Sequence, residues 1–302
     1  STPSNSSAAS DVYKRQHQEY WGKGLTFLAI VLIILLVVSI IGFVGEHGLA
    51  TFFSDHVNII HFLTSTDWDP TQGKNHVGAL AMIVTSFLVT LISALIAAPF
   101  AIAVALFMTE YSSKRSAKFL QSVTELLVGI PSVVYGFLGL TIIVPAIRNI
   151  FGGTGFGILA ATLVLFVMVL PTITSLTVDA LKAVPTELKN SSAALGATRW
   201  QTIYHVILRA STPRILTAII FGMARAFGEA LAVQMVIGNA VLMPYNLVSP
   251  SATLTSQLTS QMGNTVMGTL PNNALWSLAL LLLLMSLLFN FLVHLIGKKG
   301  KK

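Results

Sequence analysis

The chain reads as an all-α integral membrane protein with six transmembrane helices. Two compositional facts and one pattern predict this. Of its 302 residues, 54% are hydrophobic and only 10% are charged, against about a quarter charged in an ordinary soluble domain. Mean hydropathy is +0.78. The apolar residues fall in runs of about 20 or more, long enough to cross a hydrocarbon core as helices whose backbone groups satisfy one another. A soluble enzyme and a disordered tail are excluded. A membrane β-barrel does not fit either, because its strands alternate in polarity over about ten residues.

Residues 1–24 are polar and serine-rich and read as a disordered or non-native leader. One membrane domain covers residues 25–297, and residues 298–302 form a basic tail. Span one is expected over Leu25–Val44 and span two over Val77–Phe107. Span three is expected over Leu120–Ile147 with Pro131 inside it, and span four over Gly157–Val178 with Pro171 inside it. Span five is expected over Ile215–Ile237 and span six over Ala274–Ile296. Pro99, Pro131 and Pro171 are expected to kink their helices.

The charges orient these spans. Fifteen of the eighteen basic residues fall before span one, between spans two and three, between spans four and five, or after span six. Lys74 and Arg148 fall on the opposite side, and Arg225 lies inside a span. Basic loops stay cytoplasmic, so both termini are expected there, in contact with membrane lipid. The net charge of +7 therefore reflects topology, and no nucleic-acid partner is expected. The outer loop from Ala240 to Asn273 carries no charge at all.

Several features are set aside. The chain has no cysteine, which excludes thiolate metal sites and cysteine nucleophiles. His47, His56, His61 and His76 match no zinc spacing. Gly152–Gly157 lacks a nucleotide-binding pattern and reads as a flexible turn into span four. Glu110 and Glu125, at the cytoplasmic ends of spans two and three, read as solvated end charges.

Two features carry function. The cytoplasmic segment from Val184 to Pro213 is too long for a mere connector. Ala193, Ala197, Trp200, Tyr204 and Ile207 recur at helical spacing and define one face. Gly196 would permit a sharp turn between two short helices. Such a pair could sit in a partner's groove or lie on the membrane interface, and the pattern alone supports both equally. The second feature is Arg225 with Glu229 inside span five. Arg225 lies eleven residues past Arg214, about 16 Å at helical rise, near mid-bilayer. A central charge costs about 2.5–3.5 kcal/mol on insertion scales, whereas an i,i+4 ion pair returns only about 0.2–0.5. The pair should therefore face a polar cavity or other helices. Gly222 and Gly228 would let helices approach closely. A guanidinium grips tetrahedral oxyanions in two-pronged fashion, so the functional reading is an anion site. Ser132 and Tyr135, beside Pro131, could turn polar groups toward the same pathway.

Two resemblances sharpen this. Ser192-Ala-Ala-Leu-Gly196 with Ile207-Leu208 resembles the EAA loop of ABC-importer permeases, which couples to the ATPase subunit. Asn190 stands where that loop carries Glu, and Arg209 where it carries Pro. The resemblance implies an ATPase-coupling set of Asn190, Ala193, Ala194, Gly196, Ala197, Trp200, Tyr204 and Ile207. The run Arg225-Ala-Phe-Gly-Glu229 with Ile237-Gly-Asn239 resembles PstC-type permeases of the high-affinity phosphate importer. Trp68-Asp-Pro70, Leu106-Phe-Met-Thr-Glu110 and Gly129-Ile-Pro-Ser-Val-Val-Tyr-Gly136 agree with it, in family order.

That resemblance implies ABC-importer architecture in a bacterial or archaeal plasma membrane. It implies a homologous PstA-type permease, a PstB-type ATPase dimer and a PstS-type phosphate-binding protein as partners. The translocation set is Arg225, Glu229, Asn239, Ser132 and Tyr135. The chain itself would bind no cofactor and catalyse no reaction, ATP being hydrolysed by the partner. Permeases for molybdate or sulfate, and an ion-coupled secondary transporter or channel, are the alternatives.

Overall fold

The computed structural model describes the backbone of residues 5–299 and the side chains of residues 22–295. The chain divides into two compact units, residues 1–47 and 48–302. Helix α1 (Asn5–Phe53) begins inside the segment read as a leader and supplies the first unit. Residues 1–4 of that leader and 300–302 of the basic tail lie outside the described residues.

The second unit contains the remaining helices. These are α2 (Ile59–Thr64), α3 (Leu80–Leu106), α4 (Lys114–Gly129), α5 (Ser132–Leu138), α6 (Val144–Phe151) and α7 (Ile158–Lys182). They continue with α8 (Thr186–Ala194), α9 (Arg199–Gln201), α10 (Leu208–Phe227), α11 (Leu231–Gln234), α12 (Leu254–Gln261) and α13 (Leu270–Lys299). Short π turns join α5 to α6 and α9 to α10, so each pair runs on as one long helix. Among the described residues there are no strands, only two isolated bridges.

Six helices are long and apolar enough to cross a membrane: Gly22–Phe53, Leu80–Tyr111, Ser132–Phe151, Ile158–Lys182, Arg199–Phe227 and Leu270–Leu295. The number agrees with the sequence reading, but two boundaries move. Span three was expected from Leu120. Instead the chain breaks at Ile130–Pro131 and the span starts at Ser132. Proline disfavours helix at the residue before it, and here it ends α4 rather than kinking it. Helix α4 carries Lys114, Arg115, Lys118 and Glu125 among its apolar residues and has no buried residue, so it is an amphipathic helix and not half of a span.

Span five was expected over Ile215–Ile237. Its helix starts earlier, at Arg199, and stops at Phe227. Gly228–Ala230 interrupt it before the single turn of α11.

Helix α7 is the hub, the most buried of the six spans. It contributes Ile158, Val164, Leu165, Val169 and Ile173 to the main core. Gly222 lets α10 close on it, because a Cβ there would lie 2.6 Å from Ile173. Gly228 has no such neighbour and instead marks the end of the helix. The turn before α7 is pinned rather than flexible at Gly157. Gly157 donates its N–H to Val236 O at 3.2 Å, and a Cβ on it would lie 2.5 Å from Ser249 O.

The uncharged loop between spans five and six does not stay at the surface of the protein. Leu254 and Ser256 of α12 are fully buried, and Leu254 N–H donates to Ser86 Oγ at 3.0 Å. Ser86 sits six residues into α3, about 9 Å along its axis. The segment can re-enter because it carries no charge and caps itself. Thr253 and Ser256 exchange side chain-to-backbone hydrogen bonds in a capping box.

Candidate functional site

Arg225 occupies the last turn of α10 and is partly buried. Its Nη1 donates to Thr172 Oγ1 of α7 at 2.8 Å. Thr172 lies fourteen residues from the N-terminal end of α7 and ten from its C-terminal end, about 21 Å and 15 Å along the helix. The guanidinium is therefore at mid-membrane depth, where a charge is rarely kept without a function.

The expected i,i+4 pair with Glu229 does not form. The helix ends at Phe227, so Glu229 leaves the face that Arg225 shares with Thr172. The carboxylate turns to the far side of the break, where Ala232 N–H donates to its Oε1 at 3.3 Å. Thr255 Oγ1 of the re-entrant α12 donates to Glu229 O at 2.9 Å. Ser86, Thr90, Thr253 and Thr255 then line, with Glu229, a cavity of about 10 Å³. Intrahelical pairing would have returned little energy. The Glu229 carboxylate accepts from the Ala232 N–H and its main-chain carbonyl from the Thr255 hydroxyl, while Arg225 keeps a neutral partner. A guanidinium carries five N–H donors, and among the described residues one hydrogen bond from Arg225 to protein is formed. The remaining donors can meet an anion.

Tyr135 is buried and within electrostatic reach of Arg225. Its hydroxyl donates to Leu127 O at 2.7 Å, bridging the break between α4 and α5. Ser132 is one turn earlier and partly buried. Gly136, on the next residue, brings α5 against α11, where a Cβ would lie 2.8 Å from Ala232 Cα. Asn239 stands apart. It is exposed, with a left-handed backbone (φ 54°), and its Nδ2 donates to Gln234 O at 2.9 Å. Asparagine tolerates that conformation, and here it closes the turn after α11.

The coupling segment forms two helices around Gly196 (φ 79°), as its sequence predicts. The second of them is not separate, because it runs on into span five. The expected face also divides. Ile207 is buried with Ile203, whereas Trp200 and Tyr204 are exposed and stacked, ring centroids 6.5 Å apart. The wider π turn over Thr202–Ile207 accounts for this, since it shifts the register that regular helical spacing assumes. Asn190, Ala193, Ala194 and Gly196 are exposed, and Ala197 is partly so. Leu195, at 89% exposure, projects from the turn with them.

Three groups escaped the sequence reading. Thr172 carried no signal of its own. Of the hydroxyls around Glu229, Ser86 and Thr90 lie on α3, and Thr253 and Thr255 lie in a loop whose lack of charge was the only clue. Glu110 was read as a solvated end charge, but its side chain is 12% exposed and paired with Lys189 at 2.6 Å. In the outer loop, hydrogen bonds from Thr71 and Gln72 hold the Asp69 carboxyl below its ordinary value. That residue borders a cleft of about 250 Å³ with Trp68, Gln257 and Gln261.

Residues 97–302 match the family described as binding-protein-dependent transport system inner membrane component. A probable ABC transporter permease protein, YqgH, from Bacillus subtilis (strain 168) is 49% identical over 288 residues, covering 95% of this chain and 93% of that protein. A phosphate transport system permease protein, PstC, from Mesorhizobium japonicum is 33% identical over 281 residues, 86% of this chain and 83% of that one. A probable phosphate transport system permease protein, PstC, from Methanocaldococcus jannaschii is 30% identical over 289 residues, 89% and 90%. Among solved structures, a bacterial ABC transporter involved in the import of the acidic polysaccharide alginate gives a TM-score of 0.63 at 16% identity, over 97% of this chain and 100% of that one. The MetNI methionine ABC transporter gives 0.54 at 21% identity, over 74% and 98%. At these identities the structural likeness is one of fold.

Proposed function

The chain belongs to the binding-protein-dependent transport inner-membrane components, the permeases of ABC importers, and from that premise we propose that it is the PstC-type permease subunit of an ATP-driven phosphate importer. The observation that carries the proposal is the Arg225 guanidinium at mid-membrane, bonded to a neutral hydroxyl and retaining donors for an oxyanion. Relatives named as phosphate permeases, matched over most of both chains, supply the cargo. Family membership removes the secondary transporter and channel from consideration.

In this reading a PstA-type permease completes the pathway and a PstS-type binding protein delivers phosphate at the outer loops. A PstB-type ATPase dimer docks on the segment 184–213 and hydrolyses the ATP. The chain holds no cofactor and forms no covalent intermediate. Both termini are cytoplasmic, in a bacterial or archaeal plasma membrane. Arg225 replaces part of the hydration shell of the passing anion. Glu229, turned to the hydroxyl-lined side of the break, leaves that guanidinium without a competing carboxylate. A neutral first partner keeps the site from being already filled, and a single guanidinium keeps it from holding its anion too long. Tyr135 and Gly136 hold the wall formed by α5.

The test is uptake of labelled phosphate by the complete complex in a strain lacking its own importers, with excess unlabelled sulfate or molybdate as competitor. Phosphate accumulation that neither competitor reduces supports the reading. Accumulation abolished by either competitor transfers the assignment to that other oxyanion.

A further inference from the structure

The cytoplasmic end of span two departs from α-helical geometry. Phe107–Tyr111 form a π turn, closed by Ser112 N–H donating to Phe107 O at 2.8 Å. Such a wide turn re-aims the side chains that follow it and recurs at functional positions. Here it sends two adjacent residues to two different helices. Glu110 accepts from Lys189 Nζ of α8 at 2.6 Å, and the Arg199 guanidinium of α9 lies over the Tyr111 ring, 4.9 Å from its centroid. Helices α8 and α9 are the two arms that meet at the Gly196 turn. One turn of span two therefore grips both arms of the coupling segment.

The charged contact is sheltered, with Lys189 at 29% and Glu110 at 12% side-chain exposure. A short charge-assisted hydrogen bond is strong, and removing one partner from a sheltered pair leaves the other charge stranded. The backbone joins α8 to spans four and five, and it gives α8 no such link to span two. The only carboxylate that meets α8 through a salt bridge among the described residues comes from span two, next to the position where Asn190 replaces the EAA-type Glu.

We propose that the Glu110–Lys189 pair is a positioning contact that carries the displacement of α8 into span two. Without it the ATPase turns over while span two stays behind. This rests on the reading of 184–213 as the ATPase-coupling segment.

The absence of cysteine makes the test direct. Leu91→Cys and Val167→Cys, exposed on spans two and four, carry nitroxide labels in the complete complex, whose other subunits lack reactive cysteines. The inter-label distance is read in proteoliposomes with and without ATP and vanadate, alongside hydrolysis and phosphate uptake. The labels are expected to move in the otherwise unaltered complex. Glu110→Gln and Lys189→Gln should keep the ATPase bound and hydrolysing. They should lose the label movement and at least tenfold of the phosphate moved per ATP. Lys189→Arg should behave as the parent, and Glu110→Lys with Lys189→Glu should recover both readouts.

A Glu110→Gln complex whose labels move normally overturns the proposal. So does one that sheds the ATPase, since the contact then serves assembly, and so does a parent complex whose labels never move. Label movement without phosphate uptake removes the cargo reading and leaves this contact standing.

Discussion

At the scale of single residues, the mid-membrane charges act through the groups that do not neutralise them. The Arg225 guanidinium meets a hydroxyl and the Glu229 carboxylate meets a backbone N–H, so neither cancels the other. Arg225 and Glu229 were legible in the sequence because charges inside apolar runs stand out. Their separation was not legible, because spacing on an unbroken helix assumes that the helix continues past Phe227. Tyr135 tests a similar ambiguity. It was expected to face the pathway, yet its hydroxyl is committed to Leu127 O across the break between α4 and α5. Tyr135→Phe leaves that carbonyl with only the longer bond from Ile130 N–H at 3.4 Å, and is expected to lower stability by about 0.5–1.5 kcal/mol, the net worth of one hydrogen bond. The measurement is the denaturation midpoint of the purified complex, with the KM for phosphate unchanged. A raised KM at full stability would put the hydroxyl in the pathway instead.

At the scale of elements, helix breaks do more than helix lengths to build the site. Pro131 starts span three twelve residues later than hydropathy suggested, and Gly228–Ala230 end α10 just after Arg225. Hydropathy averages over about 19 residues, so it located six apolar stretches and blurred both breaks. The re-entrant α12 was invisible to it for another reason. Its Thr, Ser and Gln residues satisfy one another and pass as a polar loop. Close approach of α5 and α11 holds the break in place, and it depends on Gly136. Gly136→Ala would press a methyl onto Ala232 Cα and the Met235 sulfur, both 2.8 Å away. Overpacking of that kind costs about 1–3 kcal/mol. The expected outcome is a lower denaturation midpoint together with reduced uptake, measured on the same preparation. An unchanged midpoint would mean that α5 and α11 are not held against each other.

At the scale of the whole molecule, the distribution of basic residues predicts the orientation, and the arrangement of α7 against α3 and α10 forms the core. With no native cysteine, the orientation can be tested one position at a time. Thr71→Cys should react with a membrane-impermeant maleimide in intact cells, and Ser191→Cys only after permeabilisation. Reaction in the opposite sense would invert the topology. The central claim concerns one side chain, and uptake by an assembled Arg225→Gln complex tests it most directly. The variant is purified with its partner subunits to establish assembly, and labelled phosphate uptake is compared with that of the parent. Loss of a charge-assisted contact worth about 1.5–3 kcal/mol predicts uptake reduced at least tenfold with the complex intact. An intact Arg225→Gln complex that takes up phosphate at the parental rate would contradict the account and make Arg225 a structural charge.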